Sequence, residues 1–290
     1  MTSPSESRVA IITGATGGMG IKIAQTLCAQ GWKITCLDLQ QEAGDALVES
    51  LGQDNAMFVR TNLAKYEDQV HAFRETFRRW GRIDALCANA GIVDRSSVYI
   101  YNWREKKADD VPPEPDLSTT DVDYKAVVYG VQLATHFMRH NPQPGGRIVV
   151  TSSIASIFPH PSYPEYCGAK AAVNIFVQGI APLLKQKENI FINCVLPGIV
   201  PTPIIPPEMI AAVAPEHLTP VETIVKAFQT FLEDSTGMTG ELLECSGEKL
   251  IYYKPREMGN GAATKRAVTV WEPLFQMMHK ETSQLADAIP

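Results

Sequence analysis

Two side chains four residues apart, Tyr166 and Lys170 in the run Tyr-Cys-Gly-Ala-Lys, have the types and spacing of an acid–base pair. On a helix this spacing stacks them on one face. A phenol by itself titrates near pH 10, too high for a base at neutral pH, and a neighbouring ammonium favours its phenolate. Bringing the phenol to neutrality is worth roughly 4 kcal/mol, so one lysine needs help from a second positive charge. Ser153, upstream of the tyrosine, adds a hydroxyl that can hydrogen-bond a reacting oxygen.

A source for the second charge lies near the N-terminus. The loop Thr13-Gly14-Ala15-Thr16-Gly17-Gly18-Met19-Gly20 follows an apolar run over 9–12. It precedes Ile21, Ala24, Leu27 and Cys28 at helical spacing. A strand, a glycine turn and a helix suit a dinucleotide. Glycines let the backbone approach a pyrophosphate, and the helix N-terminus offers free N–H groups and a partial positive charge. An oxidised nicotinamide would then be the second cation beside Tyr166. A tight turn with no ligand is the reading that a lone glycine pattern leaves open.

Five motifs in register resemble the short-chain dehydrogenases/reductases over roughly residues 8–247: Thr13-Gly-x-x-x-Gly18-x-Gly20, Asn89-Ala90-Gly91, Ser153, Tyr166-x-x-x-Lys170 and Pro197-Gly198. A looser likeness points to the branch with 15-hydroxyprostaglandin dehydrogenase and fungal natural-product dehydrogenases. The resemblance implies an enzyme of secondary metabolism acting on CH–OH donors with NAD(P) as acceptor. Ser153 steadies the substrate oxygen, Tyr166 moves the proton, and Lys170 acidifies the tyrosine and binds the nicotinamide ribose. Cofactor contacts are implied for Gly14, Thr16, Gly18, Met19 and Gly20, for Asn62 and Leu63 beside the adenine, and for Asn89, Ala90 and Gly91 along the adenosine ribose. Pro197, Gly198, Val200 and Thr202 match the segment at the carboxamide end, and Tyr166 and Lys170 complete the set. Where the family has an asparagine that supports a water chain to the lysine, this chain carries Asp123, and a carboxylate there either strengthens the lysine's charge or holds it too firmly.

These residues need a scaffold. Strand-like runs at 9–12, 33–37, 56–59, 83–88, 147–151, 190–195 and 241–245 alternate with helical patterns at 18–30, 41–51, 66–80, 120–140, 165–185 and 220–234. Continuous apolar strands between amphipathic helices predict an α/β fold, a single doubly wound Rossmann-type domain with a parallel sheet. The domain is expected over 1–249, with a substrate lid at about 199–219. A C-terminal extension over 250–290, with Trp271 and Phe275, is expected to pack on the pocket or on a partner subunit. The stretch 92–118 is longer than the usual family loop.

A net charge of −6 and a pI near 5.6 argue against nucleic acid. Six cysteines, scattered singly, point to core positions rather than to zinc or a disulfide framework. With no secretory signal in Met1–Arg8 and no long uncharged apolar run, a cytoplasmic protein without a membrane span is expected. Family habit implies a homodimer or homotetramer.

Asp38 ends the second strand, where a carboxylate can accept both ribose hydroxyls and would repel a 2′-phosphate, so NAD is favoured over NADP. The apolar lid and Ile154, Ile157 and Phe158 beside the serine suit a bulky hydrophobic secondary alcohol or its ketone. NAD favours oxidation of the alcohol. The rival readings are a non-redox lyase or cyclase, a cofactor-binding protein without turnover, and an NADPH-dependent ketoreductase. His160 is expected to be a solvent-facing loop residue.

Overall fold

A computed structural model describes residues 7–290; most of the polar N-terminal stretch Met1–Arg8 lies outside the described residues. The strands are β1 (Val9–Thr13), β2 (Lys33–Asp38), β3 (Ala56–Arg60), β4 (Ala85–Ala88), β5 (Gly146–Thr151), β6 (Ile190–Pro197), β7 (Leu242–Ser246) and β8 (Lys249–Tyr252). They form one sheet in the order β3-β2-β1-β4-β5-β6-β7-β8, parallel except for β8. The helices are α1 (Gly18–Ala29), α2 (Gln41–Leu51), α3 (Tyr66–Trp80), α4 (Ser118–Thr120), α5 (Ala126–Met138), α6 (Pro164–Glu188), α7 (Pro207–Ala211), α8 (Val221–Leu232), α9 (Gly261–Val268) and α10 (Glu272–His279).

Strand β1 shows why the sheet is two-sided. All five of its residues are buried, and successive side chains point to opposite faces. Ala10 and Ile12 join Leu27, Leu47, Phe228 and Phe231 under α1, α2 and α8. Ile11 joins Phe73, Val131 and Val177 under α3, α5 and α6. Each such phenylalanine contributes roughly 1.5–3 kcal/mol by leaving water, so the helices are held on both faces by their apolar stripes.

Three features differ from the pattern read along the chain. The helix expected over 120–140 starts at Ser118 and widens into a π turn at Asp121–Lys125, which carries Asp123. The sheet runs on past residue 249 into β8, which turns back on β7 through Gly247 (φ 55°); a boundary at 249/250 therefore cuts a strand. Helix α6 is long and apolar enough by length and composition to cross a bilayer, with a mean hydropathy of 1.3 in its most apolar window. Here it is a core helix against β6, burying Val173, Val177 and Ala181.

The extension docks through Lys187 to Glu281 (2.7 Å) and Gln186 Nε2 to the Gln284 carbonyl (2.8 Å), at the C-terminal end of α6. At 1.5 Å rise per residue this lies roughly 30 Å along the helix from Tyr166. Trp271, Leu274, Met277 and Met278 stay exposed.

Candidate active site

The order of the strands reverses between β1 and β4, and two adjoining cavities open at their carboxyl ends. The first, about 480 Å³, is lined by Gly14, Thr16, Gly18, Met19, Asp38, Asn62, Leu63, Asn89, Ala90, Gly91 and Thr202. The second, about 200 Å³, is lined by Ser153, Tyr166, Lys170, Pro197, Gly198, Val200 and again Thr202. Met19, Asn89, Gly91 and Ile204 also belong to both. The residues expected at the cofactor thus divide into a nucleotide half and a reaction half, and none from 250–290 lines either.

The glycine loop is built for close approach. A Cβ on Gly20 would lie 2.1 Å from the Gly14 carbonyl oxygen, so Gly20 brings α1 against the loop without itself lining the cleft. The α1 N-cap, Gly17, offers no side chain to the first-turn N–H groups, which leaves them for a ligand. Asp38 Oδ2 accepts the Thr16 N–H (3.1 Å) and Oδ1 the Leu39 N–H (2.7 Å), so the carboxylate is anchored at the cleft. Asn62 Oδ1 accepts the Ala64 N–H (3.1 Å), which leaves its amide donors. Asn89 ties three strands together: Nδ2 donates to the Thr13 carbonyl (3.2 Å), and Oδ1 accepts from Thr151 Oγ1 (3.3 Å). A cleft with bare helix N–H groups, a glycine cradle and an anchored carboxylate fits a nicotinamide dinucleotide. Gly20→Val is expected to weaken binding of the nicotinamide dinucleotide by at least about 100-fold, because the clash is with backbone and the loop must open; fluorescence titration measures it.

At the second cavity, Tyr166 and Lys170 share a face of α6, with Lys170 Nζ 5.6 Å from the phenol ring centroid. The ammonium donates to the Thr151 carbonyl (2.8 Å) and pairs with Asp123 Oδ2 (3.0 Å). Lys170 is 2% exposed and Asp123 0%. Burial disfavours the Lys170 ammonium, but the charges of Asp123 and Tyr166 outweigh it and hold the group above its ordinary range. Burial raises the Asp123 carboxyl against the opposing pull of Lys170 and the Ile92 N–H. Gly91 closes the pair from behind, since a Cβ there would meet Asp123 Oδ2 at 3.0 Å and Lys170 Nζ at 3.2 Å. Ser153, at the end of β5, accepts the Ala155 N–H (3.1 Å) on Oγ, which leaves its own proton to donate. Asp123 itself lines neither cavity and touches the site through Lys170.

The walls are apolar. Ile154, Ile204, Ile205 and Met209 line the reaction cavity, and Lys170 is its only lysine or arginine among the described residues. Phe158, expected beside the serine, is instead 64% exposed and off the cavity, and Ile157 packs into the core. His160 sits on an exposed loop as expected, yet it also lines the cavity. Cys167, next to the tyrosine, is buried with Sγ accepting the His160 N–H (3.1 Å), and burial pushes the Cys87 thiol up to about 12. Sequence reasoning missed Asp94, which bonds the start of α6, and Arg95, which lines the nucleotide cleft. Both sit in the long loop, whose path nothing local specifies.

Fold and clefts together define a dinucleotide-dependent oxidoreductase of the doubly wound class. The short chain dehydrogenase family profile matches residues 8–209, and the chain belongs to the short-chain dehydrogenases/reductases, enzymes acting on CH–OH donors. It is 61% identical to the short-chain dehydrogenase/reductase prx6 of Penicillium rubens over the full length of both chains. It is 29% identical to the mouse 15-hydroxyprostaglandin dehydrogenase [NAD(+)], over 68% of this chain and 69% of that one. In fold it is similar to a short-chain type dehydrogenase/reductase from Mycobacterium marinum, with a TM-score of 0.72 at 23% identity, covering 83% of this chain and 95% of the other.

Proposed function

We propose that this enzyme is an NAD-dependent dehydrogenase that oxidises a bulky hydrophobic secondary alcohol to its ketone. The observation that carries this reading is an apolar cavity holding Ser153, Tyr166 and Lys170 directly against a dinucleotide cleft with Asp38 anchored in it. Bound nicotinamide would supply the two-electron acceptor. Ser153 donates its hydroxyl hydrogen bond to the substrate oxygen and steadies developing alkoxide charge. Tyr166 takes the hydroxyl proton at its phenolic oxygen and returns it in the reductive direction. Lys170 favours the phenolate by its charge, and Asp123 keeps that charge in place. Ile204, Ile205, Pro206 and Met209 form the inner face of a lid over 199–219 that keeps water from the reacting atoms. A substrate anion would find no counter-charge in these walls except Lys170, which is already paired.

Incubation with NAD and a panel of hydrophobic secondary alcohols, followed by the near-ultraviolet absorbance of reduced nicotinamide, tests the reading. No reduction with any alcohol, despite tight NAD binding, would overturn it. Cofactor choice has its own test. Asp38→Ser is expected to lower the NAD-over-NADP ratio in kcat/KM by about 100-fold, or roughly 3 kcal/mol, through loss of a charged acceptor for the ribose and of repulsion toward a 2′-phosphate. An unchanged ratio would remove Asp38 as the selector. The mouse relative whose name carries NAD(+) supports the same choice.

A further inference from the structure

The catalytic helix begins without a cap of its own. The first N–H groups of any helix lack intrahelical partners. In α6 the first residue, Pro164, has no N–H, and the Cys167 N–H bonds the Tyr163 carbonyl (3.0 Å). The Tyr163 side chain, at the N-cap, makes no capping bond. The two donors that remain belong to Glu165 and Tyr166, and one carboxylate takes both. Asp94 Oδ2 accepts the Glu165 N–H at 3.0 Å, and Oδ1 accepts the Tyr166 N–H at 2.8 Å.

Asp94 comes from the long loop after Asn89-Ala90-Gly91, and that loop is fastened on both sides of it. The Ile92 N–H donates to Asp123 Oδ1 (2.8 Å), and the Val93 carbonyl accepts from Thr119 Oγ1 (3.0 Å). Ser96 Oγ and the Asp116 backbone close the base of the loop (3.0 and 3.3 Å). The latch is reciprocal, since Glu165 Oε1 accepts the Thr120 N–H (2.8 Å) and hydroxyl (2.9 Å) at the start of the helix that carries Asp123. From Cys167 onward α6 is held by its buried face, including Ala169, Lys170 and Val173. The turn bearing Tyr166 lacks that burial, and its two free backbone donors are held by Asp94 alone.

We propose that Asp94 is a positioning residue that holds Tyr166 in register with Lys170 and the substrate oxygen. The proposal rests on Tyr166 being the proton acceptor. Without the carboxylate the first turn of α6 frays, and the phenol moves relative to a lysine fixed in the core. Misplacing a reacting group by about 1 Å costs up to about 100-fold in rate.

Asp94→Ala and Asp94→Asn test it. Hydrogen exchange at the Glu165 and Tyr166 amides should be slow in the parent, fast in the alanine variant and intermediate in the asparagine variant, whose amide oxygen still accepts one bond. With NAD and 1-indanol, or the best alcohol of the panel, kcat per NAD-binding site should fall about 10- to 100-fold in Asp94→Ala and recover in part in Asp94→Asn, at unchanged NAD affinity. In a Tyr166→Phe background, Asp94→Ala should cost almost nothing further, because both changes act through one group. A full additive loss in that background, or parent-like kcat in Asp94→Ala, would overturn the role of Asp94. Parent-like turnover in Tyr166→Phe alone would instead remove the underlying assignment of the tyrosine. If the alanine variant does not fold, the asparagine variant decides by the same exchange and double-variant measurements.

Discussion

Tyr166→Phe is expected to lower turnover by about 10²- to 10⁴-fold while NAD binds nearly as in the parent. The phenolic oxygen is the proton acceptor in the proposed reaction, and neither Lys170 nor Ser153 can replace it. The Lys170 ammonium is committed to the Thr151 carbonyl and Asp123, and the Ser153 hydroxyl lies far above the range of a base at neutral pH. Tyr166 lines the reaction cavity but not the nucleotide cleft, so its oxygen contributes little to holding the dinucleotide. Steady-state rates with the best alcohol, set beside a fluorescence titration with NAD, separate the two effects. Undiminished turnover would show that the proton goes elsewhere.

Asp123→Ala should have the largest effect on stability. It leaves the Lys170 ammonium buried without a counter-charge, a change that costs about 3–5 kcal/mol in comparable buried pairs. Asp123→Asn keeps one oxygen, for either the Ile92 N–H or the lysine, and turns an amide donor to the other, so it should recover only part of the loss. Urea unfolding of the three proteins measures this. If the alanine variant were as stable as the parent, the pair would not be holding Lys170. The pH dependence follows from the direction of the lysine shift. Lys170 lies above the usual lysine value of 10.5 in the folded state. Its contribution is therefore fully present below that value and disappears as pH rises through the folded one. The parent should lose stability in that alkaline window more steeply than Asp123→Asn, whose lysine lacks the charge that raises it.

The Asp123 contact also shows how far the chain can be read without coordinates. Its position opposite the lysine was legible from the family pattern, but the π turn that carries it was not, because a single wide turn leaves the apolar spacing of the helix almost unchanged. Asp38 was legible as the end of β2, while its anchoring by the Thr16 N–H depends on how the glycine loop folds back. Phe158 was misplaced because nearness to Ser153 in sequence says nothing about which way a loop turns after a strand.

From the order of its residues alone this chain determines seven of its eight strands, the covering helices, the glycine turn and the Tyr166–Lys170 face, since each rests on periodicity or spacing within one element. Only the tertiary structure decided that Asp94 caps the helix of Tyr166, that β8 extends the sheet, and that the C-terminal extension docks at the far end of α6. Those contacts join groups far apart along the chain. They are made by hydrogen bonds and charges that leave no periodic trace, so the folded backbone has to bring the partners together before either can be recognised.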